Sequence, residues 1–494
     1  MQNRLQNGRR GLAGLMMVAG LLGVAGLALS AQAGGASVTG QAAAMNAAPL
    51  GPVAPEAGEY RADTGWVADW RAERNRLLEA DPTLAYDPTS LIVRFRDDAD
   101  PLTVQMVREM CEVRTIETWN LVPGLEHVAV THGVPDTMHM LNLIGTAFDA
   151  IEFVEYDHFT RFEATPNDSF YSLLWGMNNT GQTVNRDRGT ANADIDANLA
   201  WDITTGSSSF VVGMADSGIL RTHEDLAANI WTNPGEIASN GVDDDGNGRV
   251  DDTWGWDFFN NDNNPTDDNG HGTHTAGTVG AVGNNGRGVT GVAWTVRLAG
   301  LKIGSASGSI SITAAIGAID YCVRKGIRVS NHSWGGGAAN TALNTAISNA
   351  RTAGHLIVAA AGNGGADGRG DNNDSIPSYP ASYTQDNIIA VAAIDNDNRL
   401  ATFSNFGAAS VDLGAPGVMI ASTYNSATNS YVYLDGTSMA TPHVAGAAAL
   451  VWSRNPTWTY SQVRSKLLST TKPLSSLAGK TVTGGCLNAN NAVR

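Results

Sequence analysis

The sequence predicts an α/β protein in which a doubly wound, mostly parallel sheet over residues 165–494 follows a small α+β domain over residues 85–164. In the larger region, short apolar runs typical of buried parallel strands alternate with alanine-rich helical stretches. The runs occupy residues 210–214, 356–360 and 388–391, and the helical stretches occupy 271–282, 312–324, 341–352 and 438–452. This alternation favours helices on both faces of one sheet, whose ligands bind at the carboxyl ends of the strands.

The smaller domain is predicted from alternating strand and helix patterns in the order strand, helix, strand, helix, strand. Its strands are expected at 91–95, 126–130 and 151–155, and its helices at 102–111 and 135–143. Residues 34–84 before it are rich in Ala, Gly and Pro, and are interpreted as a linker with one short helical piece around 70–78.

The first 33 residues have the features of a secretory signal. Arg4, Arg9 and Arg10 precede an apolar run over 11–29, and the small-residue sequence at 31–33 is typical of a cleavage site. A transmembrane anchor is the alternative, although the glycines in the run and the cleavage site disfavour it. No later stretch is apolar enough to span a bilayer, so the mature protein is expected to be soluble and secreted.

Charge and composition exclude some classes of partner. The formal net charge is −17, which argues against nucleic acid or an anionic membrane as the main partner. Some of these carboxylates are expected to bind cations instead. Nothing in the sequence points to an organic cofactor.

The sequence contains three cysteines. Cys111 lies in the smaller domain, whereas Cys322 and Cys486 lie in the larger one. The last two could pair in an oxidising compartment, or remain free and buried.

Three motifs stand at predicted strand ends or helix starts, where side chains can enter a cleft. Asp216-Ser217-Gly218 ends an apolar run, GHGTHTAG (270–277) enters a helix with His271, and GTSMATPHVAG (436–446) enters another with Ser438. A serine nucleophile needs a base to take its proton and a carboxylate to orient that base. The three residue types in this order therefore favour serine-type peptide hydrolysis. The alternative is a metal pair formed by His271 and His274, but no partners stand nearby at metal-site spacing.

With these motifs, residues 165–494 resemble the subtilase family, especially its thermitase-like members. The resemblance implies that Asp216 orients His271, that His271 is general base and then acid, and that Ser438 is the nucleophile. It also implies that Asn363, in the AAAGNGG segment, donates to the oxyanion together with the backbone N–H of Ser438. By the same resemblance Ser333, Trp334 and Gly335 bind substrate main chain as an added strand, and Ser378 lines the pocket before the scissile bond. Relatives often carry Leu where Trp334 stands, and no fixed charge is expected there, so a broad, mostly apolar preference is predicted.

The resemblance further implies that residues 85–164 are a propeptide that acts as chaperone and transient inhibitor and is removed by the enzyme itself near Thr165. The partners expected are protein or peptide substrates and this propeptide, and the mature protein is expected to be a monomer. Two other functions remain open. One is a catalytically silent binding protein with the same fold, and the other is a transpeptidase or peptide cyclase.

Calcium is expected as a structural cofactor. The segment 243–252, DDDGNGRVDD, places oxygen ligands at alternating positions with Gly248 at a sharp turn, like the first half of a calcium loop. Trp254 occupies the twelfth position in place of Glu, so Asp251 or Asp252 would have to close a site begun by Asp243, Asp245 and Asn247. The resemblance adds two more ligand sets. One comprises Asp257 and Asp262 with backbone oxygens of Asn264 and Thr266, and the other comprises Asp168, Asp225 and Asn285 with carbonyls of Val282, Arg287 and Val289.

Overall fold

The computed structural model describes residues 64–81, 84–159 and 165–494. The expected signal segment and residues 34–63 and 82–83 of the expected linker lie outside the described residues, as do residues 160–164 just before the expected processing point. Residues Val67–Arg494 form one compact unit. The helices are α1 Thr64–Ala80, α2 Pro101–Met110, α3 Val134–Ala147, α4 Ala197–Trp201, α5 His271–Gly280, α6 Ile312–Arg324, α7 Thr341–Thr352, α8 Thr437–Arg454, α9 Tyr460–Ser469 and α10 Ala489–Val493.

The strands belong to four sheets. In chain order they are β1 Tyr86–Phe95, β2 Val113–Thr118, β3 Leu125–Val130, β4 Ile151–His158, β5 Thr183–Val184, β6 Asp187–Arg188, β7 Gly206–Asp216, β8 Gly255–Asp257, β9 Thr295–Lys302, β10 Val329–His332, β11 Leu356–Ala360, β12 Ile388–Ile394, β13 Leu413–Pro416, β14 Ile420–Tyr424, β15 Ser430–Leu434, β16 Lys472–Pro473 and β17 Gly485–Cys486.

The small domain is an antiparallel sheet in the order β2-β3-β1-β4, with α2 and α3 packed against one face. Leu91 and Val93 of β1, Val128 of β3 and Leu141 of α3 are fully buried in its core. The predicted order missed β2. Val113 is the only buried residue of β2, and the residues after it are half-buried or exposed without regular alternation. The period-2 signal of a strand is therefore weak there.

Helix α1 packs onto this domain, although the sequence analysis placed its residues in a linker. The Trp70 indole N–H donates to the Thr89 carbonyl, and Arg74 forms a salt bridge with Asp87, whose side chain is fully buried. The Arg74 guanidinium also lies 5.5 Å from the centre of the Phe159 ring. A buried carboxylate is stable only when it is paired and hydrogen-bonded, so these contacts make α1 part of the small domain.

The large domain confirms the predicted doubly wound architecture. Its sheet has the order β16-β17-β13-β12-β11-β10-β7-β9-β8, and every neighbouring pair is parallel except β16 and β17. Met214 and Ala215, adjacent in β7, enter different clusters, one with α5 and α8 and the other with α6. The sheet is therefore buried on both faces, and its polar chemistry is confined to strand ends.

Cys111, Cys322 and Cys486 are all free and buried, so of the two alternatives for Cys322 and Cys486 the structure has unpaired thiols. Burial raises the pKa of both thiols, which keeps them protonated and unreactive. Within the described part of the chain, no helix is both long and apolar enough to cross a membrane.

Candidate active site

The three predicted chemical groups meet at the carboxyl edge of the large sheet. Asp216 is the last residue of β7, His271 is the first residue of α5, and Ser438 is the second residue of α8. All three line one cavity of about 420 Å³, together with Asn363. Strand ends and helix starts converge at this edge, as expected for an open α/β sheet.

Asp216 and His271 form a tight pair. The Nδ1 of His271 lies 2.7 Å from Oδ1 of Asp216, and the Asp216 carboxylate also accepts hydrogen bonds from the Ser217 N–H and the Thr275 hydroxyl. Burial disfavours the charged ring, but the Asp216 charge and hydrogen bond, with Asp267 adding to them, raise the pKa of His271 above its ordinary value. Since Nδ1 donates to Asp216, Nε2 carries the free lone pair of the neutral ring.

Asp267 is a second buried carboxylate that the sequence analysis missed. Only 5% of it is exposed, and it accepts five hydrogen bonds. The donors are the Ser217 hydroxyl, the N–H groups of Asn269, Gly270 and Thr273, and the Thr273 hydroxyl. Gly270, at the N-cap of α5, has no side-chain hydrogen bond to offer, so Asp267 satisfies donors at the helix start.

Ser217 joins the segments that carry Asp216 and His271. Its hydroxyl donates to Asp267 and accepts from the Gly272 N–H at 2.9 Å. A Cβ on Gly272 would lie 2.2 Å from the Gly218 carbonyl oxygen, so glycine is required for this close approach. An acidic residue four positions before a helix-starting histidine was the only available sequence signal for Asp267.

Ser438 is held against the end of β10. Its hydroxyl donates to the Ser333 carbonyl at 2.9 Å, and the Ser333 hydroxyl donates to the Ser438 carbonyl at 2.7 Å. These reciprocal bonds fix the start of α8 relative to the strand that borders the cavity.

The orientation of the Asn363 side chain is set by Thr437. The amide oxygen of Asn363 accepts from both the N–H and the hydroxyl of Thr437, at 2.9 and 2.8 Å. The amide NH₂ therefore remains as the donor end of the side chain, in a residue that lines the same cavity as Ser438.

The four predicted substrate-binding residues occupy different depths. Ser333, Trp334 and Gly335 line the cavity. Ser378 is buried behind its wall, because a Cβ on Gly335 or Gly362 would lie 3.3 or 3.1 Å from the Ser378 hydroxyl oxygen. Among the described residues that line the cavity, only Asp216 and His271 are ionisable, so these walls add no other charge.

His271 and His274 face different partners. The Nε2 of His274 lies 2.9 Å from the Ile420 carbonyl and 3.3 Å from that of Val432. Burial, with the nearby His271, lowers the pKa of His274 to about 3, so it is a neutral buried donor. The arrangement favours the pairing of His271 with Asp216 over a metal pair.

Asp168, Asp225 and Asn285, which belong to the last of the three predicted calcium ligand sets, lie close together. Asp168 accepts from the Asn284 N–H at 2.7 Å, and Asp225 accepts from the Asn285 amide and the Val289 N–H, each at 2.8 Å. Burial and the neighbouring Asp225 charge raise the pKa of Asp168, whose buried Oδ1 has no hydrogen-bond partner among the described residues. An unsatisfied buried carboxylate oxygen is costly, and a hard cation with oxygen ligands fits it.

The loop 243–252 brings two of its predicted ligands together with one acidic residue that was not predicted. Ligand atoms of Asp243, Asp245 and Glu236 lie within 4.8 Å of one another. Oε1 of Glu236 accepts from the N–H groups of Asp244 and Asp245, while its Oε2 and the Asn247 Oδ1 are buried and find no partner in the part of the chain that the structure describes. Glu236, which precedes the loop in sequence, therefore supplies a third carboxylate to this cluster.

The residues expected to close that loop are engaged elsewhere. Asp251 accepts from the N–H groups of Asn240 and Gly241, each at 3.0 Å. Asp252 accepts from the Tyr321 hydroxyl at 2.5 Å and from two asparagine side chains. Glu236 was not predicted because it lies outside the ten-residue motif, and the closing role of Asp251 or Asp252 stays a prediction.

The ammonium group of a buried lysine, Lys302, lies against the loop from Asp257 to Thr266. The Lys302 ammonium, on a side chain only 3% exposed, lies 3.3 Å from the Thr266 carbonyl oxygen and 3.9 Å from the Asp257 carboxylate. Asp257 also accepts from the N–H groups of Phe259 and Asn260, and Asp262 accepts from the Asn264 N–H. Lys302 therefore supplies positive charge at these ligands, as Lys325 does at the loop 243–252, where its ammonium forms a salt bridge with Asp245.

Comparison with known proteins gives one consistent result. Residues 207–488 match the family model Peptidase_S8, described as the subtilase family. The chain is 41% identical to subtilisin DY of Bacillus licheniformis over 259 residues, which are 52% of this chain and 82% of that protein. It is 36% identical to thermitase of Thermoactinomyces vulgaris over 330 residues, 67% of this chain and 99% of that protein. A solved protease of Pseudoalteromonas arctica PAMC 21717 is similar with a TM-score of 0.53 and 30% identity, covering 67% of this chain and 99% of the other.

Proposed function

This chain belongs to the subtilase family of serine endopeptidases, and from that premise we propose that it is a secreted, calcium-stabilised enzyme made as a proenzyme. In this proposal Asp216, His271 and Ser438 form the catalytic triad. The observation that carries it is the hydrogen-bonded pair of Asp216 and His271 in one cavity with Ser438.

Acylation begins with Nε2 of His271 taking the proton of the Ser438 hydroxyl as the oxygen attacks the substrate carbonyl. The Asp216 carboxylate stabilises the imidazolium that forms and holds the ring in the required tautomer. His271 then gives the proton to the leaving amine, and water repeats the sequence to release the acyl group. The Ser438 hydroxyl, which donates to Ser333 in this structure, must rotate towards His271 for the first step.

The developing oxyanion is proposed to bind between the Asn363 NH₂ and the backbone N–H of Ser438, at the positive end of the α8 dipole. Substrate main chain would extend along residues 333–335, which continue β10 past its paired region. Because no further charge lines the cavity, we expect a broad preference for uncharged side chains next to the scissile bond.

The direct test of this function is labelling by a fluorophosphonate probe, with Ser438→Ala as the control. Labelling of the wild type alone supports the nucleophile. Absence of labelling in a folded protein would instead favour the catalytically silent alternative. Product analysis with a competing amine separates hydrolysis from transpeptidation or cyclisation, because only the last two retain the amine in the product.

We further propose that residues 1–33 direct secretion and that residues up to about 164 are a propeptide removed by Ser438. The contacts of α1 support a propeptide that begins by residue 64 rather than 85. N-terminal sequencing of secreted wild-type protein beside Ser438→Ala, in a host without extracellular proteases, tests both points.

Calcium is proposed to stabilise the fold rather than take part in the chemistry. Asp168 and Asp225, with Asn285 and the carbonyls of Val282, Arg287 and Val289, would hold one ion. The lone Asp168 oxygen supports this site. A second ion would be held by Asp243, Asp245, Asn247 and Glu236. When bound, each ion would supply positive charge to its carboxylate ligands, and at the second site it would add to the Lys325 ammonium that pairs with Asp245.

A further inference from the structure

A wide groove beside the active-site cavity is lined by positively charged side chains. It encloses about 770 Å³, and we call it the basic groove. Its walls come from three segments: residues 367–370, residues 399–406 and the pair Ser476 and Lys480.

The charge of the basic groove is opposite to that of the protein as a whole. Arg369, Arg399 and Lys480 line the groove with Asp367, and Asp397 pairs with Arg399 from beside it, which leaves a net of +1 (three cations less two carboxylates) on a chain of net charge −17. Arg399 is paired with Asp397 at 2.8 Å, and its side chain is 71% exposed. The Lys480 ammonium lies 4.1 Å from the centre of the Phe406 ring. Within the part of the chain that the structure describes, neither Arg369 nor Lys480 forms a salt bridge.

The basic groove is adjacent to the active-site cavity because one short loop borders both. Gly364 lines the cavity, directly after Asn363, while Asp367 and Arg369 line the groove. A Cβ on Gly364 would lie 1.8 Å from the Arg369 carbonyl oxygen, so the backbone of Arg369 lies against the cavity rim.

The buried Asn405 side chain helps to hold this loop in place, together with backbone hydrogen bonds from Gly370 to Thr402 and from Phe406 to Asp371. The Oδ1 of Asn405 accepts from the N–H groups of both Gly364 and Asp371, each at 2.8 Å, and so clamps the two ends of the loop. Its Nδ2 donates to Asn373 at 2.9 Å. The position of Arg369 relative to Asn363 is therefore set by the fold.

We propose that the basic groove binds acidic side chains of peptide substrates a few residues from the scissile bond, and so favours acidic polypeptides as substrates. This inference rests on the proposed function of the cavity as a peptide-hydrolysing site. An extended peptide advances 3.3–3.6 Å per residue, so a chain leaving the cavity past Gly364 reaches the groove within a few residues. Since the overall charge repels acidic substrates, a local positive surface is where such a substrate gains attraction.

The test uses the processed enzyme and one fluorogenic peptide in which a single Asp or Asn is scanned from five residues before to five residues after the scissile bond. The measurement is the ratio of kcat/KM for the Asp peptide to that for its Asn counterpart. We expect this ratio to exceed one at neighbouring positions on one side. Arg369→Gln with Lys480→Gln should lower it there by about 2- to 10-fold, in the range of two exposed ion pairs. The preference should disappear near 1 M salt, where the screening length is ~3 Å.

The matched control is Arg324→Gln with Arg351→Gln, which removes two exposed charges from α6 and α7 away from the groove. An equal fall of the ratio in this control would overturn the inference, because it would assign the effect to overall charge. A ratio of one at every position in the wild type would also overturn it. If Arg369→Gln with Lys480→Gln slows only the removal of the protein's own propeptide, the groove binds the propeptide, and the proposal that it binds acidic side chains of substrates is wrong. If neither the Asp nor the Asn peptide is cleaved at any position, the proposed function itself is refuted. Cleavage of both peptides with a ratio of one refutes only the proposed role of the groove, so the two failures can be told apart.

Discussion

Substitution of Asn363 tests the proposed chemistry most directly, because its amide oxygen and its amide NH₂ have separate roles. Its oxygen accepts two hydrogen bonds from Thr437, which is fully buried, and its NH₂ is the proposed oxyanion donor. Asn363→Ala removes both functions. Asn363→Asp keeps an acceptor for Thr437 and removes only the donor.

The expected magnitudes differ between kinetics and stability. Loss of one oxyanion donor costs about 10²–10³ in kcat, or about 2.7–4 kcal/mol, and leaves KM nearly unchanged because the charge exists only near the transition state. Both variants should show at least this loss of kcat. Asn363→Ala should in addition lose about 1–3 kcal/mol of stability, because the Thr437 N–H is left buried and unsatisfied, whereas Asn363→Asp should stay closer to wild type.

The assay is kcat and KM on a chromogenic peptide, with active enzyme counted by titration, beside thermal unfolding of enzyme blocked by a covalent inhibitor to prevent self-digestion. Near-normal kcat in Asn363→Asp would refute the donor role and leave Asn363 as a turn residue that orders the start of α8. A rise in KM with unchanged kcat would show that Asn363 binds the ground state and the transition state equally well.

Three further predictions follow from the same geometry. Ser438→Ala should be inactive and keep its propeptide attached, so normally processed mutant protein from a protease-free host would sink the claim of self-cleavage. The acid limb of kcat/KM should follow the raised pKa of His271, with activity lost as pH falls through it. Asp267→Asn should move that limb to lower pH, because a negative charge near the ring is removed, and an unshifted limb would contradict the contribution of Asp267. Chelation should lower the melting temperature before it lowers the initial rate, since calcium at ~1,000 times Kd adds about 4 kcal/mol to the native state, and equal melting temperatures with and without calcium would rule out a structural ion.

What the sequence predicted well depends on local signals. Asp216, His271 and Ser438 stand at strand ends or helix starts, and each is flanked by small residues that permit close packing. Parallel strands that are buried on both faces leave continuous apolar runs, so β11 was predicted with its observed bounds. The helix α7 was also predicted with its observed bounds, from its alanine-rich helical stretch. Once the sheet is assembled, its topology alone brings these distant motifs to one edge.

The features that were missed depend on contacts between segments far apart in the chain. Helix α1 has no strong amphipathic pattern, and it is held to the small domain by a few polar and aromatic contacts such as Arg74 with Asp87. Glu236 completes an acidic cluster from outside the motif that suggested calcium. Lys302 reaches the loop at Thr266 from the end of β9, which no spacing rule along the chain could predict.

Asp267 stabilises the start of α5, where His271 lies, and it also raises the pKa of His271. A Cβ on Gly218 would lie 2.6 Å from the Pro265 carbonyl oxygen, so the loop before α5 rests directly on the turn after Asp216. Lys302 anchors this loop through Asp268 at 2.5 Å, while Asp267 binds Ser217 and the first N–H groups of α5. Removing Asp267 would therefore loosen the start of α5 and change the proton affinity of His271 together. A purely structural defect would lower the amount of active enzyme without moving the pH at which the remaining molecules lose activity, and this separates the two effects of Asp267 experimentally.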